Sequence, residues 1–388
     1  MNRFTLPRDI YWGEGAIEEL RKLDGKRAVL VLGGGSMRRF GFVDKVLAYL
    51  KEAGIETEFI ENIEPDPSVQ TVLKGAAKMR EFEPDWIIAM GGGSPIDAAK
   101  AMWVFYEYPD TDFESLIQPF SFPTLRKKAR FLAIPSTSGT GTEVTAFSVI
   151  TDTEKGTKYP LADFNITPDI ALVDPALAET MPPKLTAHTG MDALTHAIEA
   201  YTCMAANPLS DAYATGAIKK ISQNLFKVLD NPKDAEARLE LAQASTMAGI
   251  AFSNSMVGLV HSLGHALGAV AHLPHGLCMN LFLPYVLEYN KSVNGDKIAE
   301  LLLPLAGADI YAQTPADQRT DKTIETLYSI RDHLYELTQL PRNLRETGKV
   351  SESQLDEVAE KALNDGSIIY NPKEASLTQL REILQKAW

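Results

Sequence analysis

The residues best equipped for chemistry in this 388-residue chain are its histidines, five of whose seven lie between positions 196 and 275. In Gly190-Met191-Asp192-Ala193-Leu194-Thr195-His196 a carboxylate and an imidazole stand four residues apart. On a helix, residues i and i+4 share a face, so both side chains can reach one point in space. His261-Ser262-Leu263-Gly264-His265 repeats the spacing with two imidazoles, and Pro274-His275-Gly276 sets another at a backbone corner. An Asp with several His suits a borderline divalent metal that keeps one position open for substrate. A lone histidine on an apolar helix face is ordinarily a packed or surface residue. Asp192, His196, His261 and His275, however, all lie in strongly apolar stretches. Burying them without a partner would cost several kcal/mol, which a metal removes. His188, His272, His333, Cys203 and Cys278 are read as structural. The set points to an enzyme rather than a scaffold.

The elements that must position these groups follow two grammars. Apolar content of 45% and charged content of 23% suit a globular protein, and the length suits two domains. A net charge of −13 argues against nucleic acid or an anionic membrane as partner. Two cysteines give no disulfide framework, no apolar run opens the chain and no window reaches a membrane span, so a cytoplasmic protein is expected. The first half alternates buried-strand runs (28–32, 56–60, 86–90) with helical stretches (43–53, 69–82), which predicts a parallel sheet covered on both faces. Past Met181-Pro182-Pro183 strand signals vanish, and Ala/Leu-rich helical patterns follow at about 186–205, 209–229, 235–251, 257–270 and 355–365. The expectation is α/β + all-α: a Rossmann-like dinucleotide-binding domain over 1–180, then an all-helical metal-binding domain over 181–388. A ligand bridging the halves would sit in the cleft between them.

Two glycine-bearing segments suggest the nucleotide. Gly91-Gly92-Gly93-Ser94-Pro95-Ile96-Asp97 joins a buried strand to a helix expected over 95–106, with Ser94 as N-cap and Pro95 in the first turn. Glycines admit a close ligand, and the helix N-terminus offers free N–H groups to a pyrophosphate. The loop is not the G-x-G-x-x-G fingerprint, and a tight strand-to-helix turn without ligand has the same sequence. Pro135-Ser136-Thr137-Ser138-Gly139-Thr140-Gly141-Thr142-Glu143 follows a second apolar strand and offers hydroxyls to phosphate or ribose. Two such segments favour a dinucleotide over a plain polar loop. The strand 28–32 ends in Gly33-Gly34-Gly35-Ser36 with Arg38 and Arg39 behind it and no acid. Small residues, a hydroxyl and two cations welcome a 2′-phosphate, which favours NADP(H) over NAD(H).

Together these residues resemble the iron-containing (group III) alcohol dehydrogenase family over essentially the whole chain. The stretches Gly91–Lys100, Ile134–Glu143, Gly190–Ala200 and His261–Gly276 carry the likeness. It is nearest the NADPH-dependent butanol dehydrogenases, since Gly33–Ser36 stands where NAD-using relatives carry an acid. The resemblance implies Asp192, His196, His261 and His275 as ligands of Fe²⁺ or Zn²⁺, and His265 beside the nicotinamide as a non-ligand. It puts Gly92, Gly93, Ser94 and Asp97 on the pyrophosphate loop, with Ser136, Thr137 and Thr140 on the second cofactor segment. Gly34, Gly35 and Ser36 fall at the adenosine ribose, and Lys158 at the nicotinamide ribose. It also implies a homodimer, joined through a strand near Arg3–Tyr11, or a higher homo-oligomer.

The chemistry expected is interconversion of short-chain primary alcohols and aldehydes. A bound metal polarises the substrate oxygen, which makes hydride exchange with the nicotinamide feasible near neutral pH. His265 is the candidate proton relay, and Phe147 and Phe252 the candidate pocket walls. A glycerol or other polyol dehydrogenase would share this scaffold and differ in pocket polarity. A sugar-phosphate synthase such as dehydroquinate synthase would want several Lys and Arg around its metal, and 186–276 has few. A nucleotide- or metal-binding protein without catalysis is the alternative from another class.

Overall fold

The computed structural model describes residues 3–388. The described residues form eight strands: β1 (Asp9–Trp12), β2 (Arg27–Leu32), β3 (Glu56–Ile60), β4 (Trp86–Gly91), β5 (Arg130–Pro135), β6 (Phe147–Asp152), β7 (Thr157–Ala162) and β8 (Ile170–Val173). Six make one parallel sheet in the order β1-β8-β5-β4-β2-β3. Its strands are apolar on both faces because both are covered. Val29, Val31, Ile87, Ala89, Phe131 and Ala133 pack to one side. Leu30, Leu32, Ile88, Met90, Leu132 and Ile134 pack to the other. Helices α1 (Phe42–Glu52), α2 (Val69–Phe82) and α3 (Gly93–Glu107) cover these faces. The Ser68 hydroxyl caps α2 by accepting the Thr71 N–H.

The chain divides into a first unit that runs to Met181 and a second, Pro182–Trp388. The second is helical: α4 (Pro183–Thr202), α5 (Pro208–Asp230), α6 (Ala235–Ser253), α7 (Leu259–Ala271), α8 (His275–Glu300), α9 (Arg319–Thr338), α10 (Leu355–Leu363) and α11 (Leu377–Ala387), with short helical turns between. Sequence signals mark several starts: Asn207 and Ser210 form a capping box for α5, and Asp234 caps α6. One large apolar cluster gathers α4 to α11 around Leu194, Ile221, Leu263, Phe282 and Leu384.

Three features depart from the expectations. Helix α3 begins at Gly93 with Gly92 as N-cap, so Ser94 lies in the first turn and caps nothing. The β6–β7 antiparallel hairpin has no counterpart in the sequence pattern, since a hairpin outside the main sheet has only its cross-strand register to announce it. Helix α8 is likewise absent from that pattern. It is buried on every side from Gly276 to Leu283 and carries Pro284, so it shows no amphipathic period.

Candidate functional site

Helix α4 presents Asp192 and His196 one turn apart, α7 brings His261, and His275 is the first residue of α8. One ligand atom from each of the four lies within 4.8 Å of the others. His275 Nε2 is 3.3 Å and His196 Nδ1 3.9 Å from Asp192 Oδ1. Asp192, His196 and His261 are buried, whereas the His275 side chain is 39% exposed and forms the open side. Gly276 makes the convergence possible: a Cβ there would stand 2.2 Å from the His188 carbonyl oxygen of α4. Only a glycine lets α8 start so close to α4.

A carboxylate and three imidazoles form a donor set for Fe²⁺ or Zn²⁺. The geometry fits such an ion, because Asp192 Oδ1 and His261 Nε2 are buried and make no hydrogen bond. Burial pushes the Asp192 carboxyl up to about 7, with only partial opposition from His265, and burial drives His261 well down. A cation at their common point reverses both penalties.

Around this set lie the expected His265 and Phe252 together with Glu199 and Asp365, which the sequence pattern does not single out. Glu199, two turns after Asp192, accepts the Val260 N–H at 2.7 Å and meets His261 Nδ1 at 2.5 Å. Its spacing from Asp192 and His196 on one helix face is a usable signal. His265 stands beside the set, its ring stacked on His275 with centroids 5.4 Å apart. Its Nδ1 meets Asp365 Oδ2 at 2.9 Å, across 100 residues of sequence that give no hint of the pairing. Burial works against the Asp365 carboxylate, but His265 and the Ser367 N–H more than offset it and hold it below the usual range. Phe252 stacks on His196 at 4.3 Å.

In the first unit the glycine loops fall where an α/β sheet takes ligands. From β2 the chain moves outward to β3, then returns past β2 to β4, so its direction reverses between β2 and β4. The crevice at the carboxyl ends of such strands is the usual ligand site. Gly33–Ser36 follows β2 and Gly92–Ser94 follows β4. The segment after β5 packs against the latter: a Cβ on Gly93 would meet Thr140 at 3.1 Å and one on Gly92 would meet Thr137 at 3.4 Å. The Ser136 N–H donates to the Gly91 carbonyl. Gly91 itself has φ +148°, and a Cβ there would lie 2.5 Å from Pro95.

Three charged residues of this region have partners that local sequence does not reveal. Asp97 accepts from Thr142 Oγ1 and from the Val149 N–H, so both of its oxygens brace the fold. Lys100 is fully buried and donates to the carbonyls of Thr142, Thr145 and Phe147 on the hairpin side; burial lowers it to about 8. Lys158, on β7, pairs with Asp66 at 2.6 Å. The loop after β2 lines a cavity of about 250 Å³ with Arg38, Glu61 and Asn62. The expected absence of an acid there needs correction. Parallel pairing of β3 with β2 delivers Glu61, which holds Arg38 at 2.6 Å.

Models of two protein families match the chain: iron-containing alcohol dehydrogenase over residues 7–175, and the C-terminal part of the Fe-containing alcohol dehydrogenase family over 186–388. The chain belongs to the iron-containing alcohol dehydrogenase family. This alcohol dehydrogenase is 53% identical over 390 residues to an NADPH-dependent butanol dehydrogenase of Clostridium saccharobutylicum, covering 99% of this chain and 97% of that one. It is 38% identical to a bifunctional aldehyde-alcohol dehydrogenase of Escherichia coli, of whose length it spans 45%. A solved 1,3-propanediol oxidoreductase superposes over 100% of both chains with a TM-score of 0.93 at 33% identity. No helix of the described residues is long and apolar enough to cross a membrane.

Proposed function

We propose that this alcohol dehydrogenase is NADP(H)-dependent, requires Fe²⁺ or Zn²⁺, and interconverts short primary alcohols and aldehydes of the butanol–butyraldehyde kind. The observation that carries this reading is the convergence of Asp192, His196, His261 and His275, with two buried donor atoms left without hydrogen bonds. In this reading those four residues are the ligands and the second unit is the metal-binding domain. The first unit is the dinucleotide-binding domain.

When bound, the metal supplies Lewis-acid chemistry and the dinucleotide supplies hydride chemistry. The chain's own residues do the rest. Asp192, His196, His261 and His275 would hold the ion, with the exposed side at His275 left to substrate. His265, oriented by Asp365 and with its side chain 23% exposed, moves the hydroxyl proton between substrate and solvent. Phe252, stacked on His196, gives the reacting end an apolar wall. Such a wall favours an alkyl chain over a polyol. Gly92, Gly93, Ser94, Ser136, Thr137 and Thr140 cradle the pyrophosphate, while Asp97 braces that cradle through Thr142. Lys158 approaches the nicotinamide ribose. Gly34, Gly35 and Ser36 leave room for a 2′-phosphate, and Arg38 exchanges Glu61 for that phosphate. The name of the Clostridium relative favours the same cofactor and substrate. We also propose a homodimer along the edge strand β1, where Tyr11 and Trp12 are exposed. A cytoplasmic setting suits Cys203 and Cys278, which form no disulfide.

The test is anaerobic reduction of butyraldehyde, with NADPH and NADH compared on protein stripped of metal and refilled with Fe²⁺ or Zn²⁺. Metal-dependent turnover that favours NADPH is expected. Failure of every refilled sample to oxidise either nucleotide would overturn the reading for this substrate class.

A further inference from the structure

We infer that Glu199 is a positioning residue that aims His261 at the metal; the inference rests on reading Asp192, His196, His261 and His275 as ligands. Glu199 is only 3% exposed and lies on the face of α4 that carries Asp192 and His196. One carboxylate oxygen accepts the Val260 N–H at 2.7 Å. The other meets both the His261 N–H at 3.3 Å and His261 Nδ1 at 2.5 Å. Gly258 permits this approach, because a Cβ there would sit 3.1 Å from Glu199 Oε1. With Nδ1 engaged by the carboxylate, Nε2 is the nitrogen left to face the other donors, and it is buried without a hydrogen bond. A carboxylate on the far nitrogen fixes the tautomer and ring angle of a metal-ligating histidine and raises its basicity.

The competing role is a plain helix cap. The first N–H groups of α7 need acceptors, and Glu199 supplies them. Asn371 shares in the capping, since its Oδ1 accepts the Leu259 N–H at 3.3 Å and it is equally buried. Its side chain otherwise bonds to Asn290 and to the Lys373 carbonyl rather than to His261. A cap needs only an acceptor at the backbone. The second oxygen of Glu199, placed on the imidazole, does what a cap does not require. Asn371 therefore provides the control.

The experiment compares full-length wild type, Glu199→Gln and Asn371→Ala, each stripped of metal. Co²⁺ affinity is measured by competition with a chelating dye, ligand geometry by the d–d absorption of bound Co²⁺, and fold stability by thermal unfolding of the metal-free protein. Glu199→Gln cannot accept at both sites, since turning its oxygen to one partner sets its NH₂ against the other donor. It should weaken Co²⁺ binding by about 10–100-fold and alter the d–d bands. Asn371→Ala should lower the unfolding temperature while leaving Co²⁺ affinity and bands close to wild type. The proposal is overturned if Glu199→Gln binds Co²⁺ as wild type does, or if both variants lose affinity in proportion to lost stability. Should Glu199→Gln not fold, the ¹⁵N shifts of His261 in the metal-free wild type decide: a proton on Nδ1 supports the proposal, and a proton on Nε2 overturns it. A wild type that takes up no Co²⁺ would overturn the ligand reading itself, and this proposal with it.

Discussion

Asp192→Asn should make the metal-free protein more stable while abolishing its metal affinity. Burial raises the Asp192 carboxyl from 3.8 to about 7, and His265 offsets little of that. In the unfolded chain the same group titrates near its ordinary value. Between those two values the folded protein holds a proton that the unfolded chain has released. The stability this group allows is therefore complete at low pH, falls as pH rises through that window, and levels off above about 7. Three units at about 1.36 kcal/mol each give a penalty of about 4 kcal/mol by pH 8, of which about 2–3 kcal/mol accrues above pH 5. Asparagine has nearly the same volume and no proton to lose, so the variant escapes the penalty. The assay is urea denaturation of chelator-treated wild type and Asp192→Asn at pH 5 and pH 8, followed by circular dichroism of the helical signal. The variant should be the more stable at pH 8, with the gap narrowing toward pH 5. Saturating Zn²⁺ should close the gap at pH 8, because a ligand at 1,000 times its dissociation constant adds about 4 kcal/mol to the wild type alone, as much as the penalty. A variant no more stable than metal-free wild type at pH 8, or a gap that ignores pH, would mean that burial of the Asp192 charge is not what strains the empty site.

His265→Ala should keep its metal and lose kcat, and Asp365→Asn should lose kcat in the same direction with a shifted pH–rate profile; metal content by mass spectrometry and steady-state rates check both. Gly34→Asp should raise the KM for NADPH through repulsion of the 2′-phosphate and spare NADH, and an unchanged KM for NADPH would remove the case for that cofactor. Gly276→Ala forces α8 away from the His188 carbonyl; a loss of about 1–3 kcal/mol in stability is expected, with weaker Zn²⁺ binding as His275 moves. Lys100→Met leaves the Thr142, Thr145 and Phe147 carbonyls without their buried donor, and about 3–5 kcal/mol should be lost in denaturation of the first unit.

What the sequence determined by itself was whatever repeats locally. Helical periodicity puts Asp192 with His196 on one face, and the apolar runs 28–32 and 86–90, short and closed by glycines, read as buried strands, because both signals depend on neighbours within a few residues. Glu199 obeys the same spacing and was legible in principle, but its partner His261 is 62 residues away, so its role was not. Asp365 reaches His265 only because the fold closes a 100-residue interval. Glu61 enters the cavity beside Gly33–Gly35 through the pairing of β3 with β2, although no acid stands in the loop itself. Helix α8 hid its period because burial on all sides leaves no polar face to reveal it. Local pattern fixes which face a residue occupies; only tertiary packing decides which distant group that face meets, and in this protein those meetings orient the candidate ligands, the His265 side chain and the loop after β2.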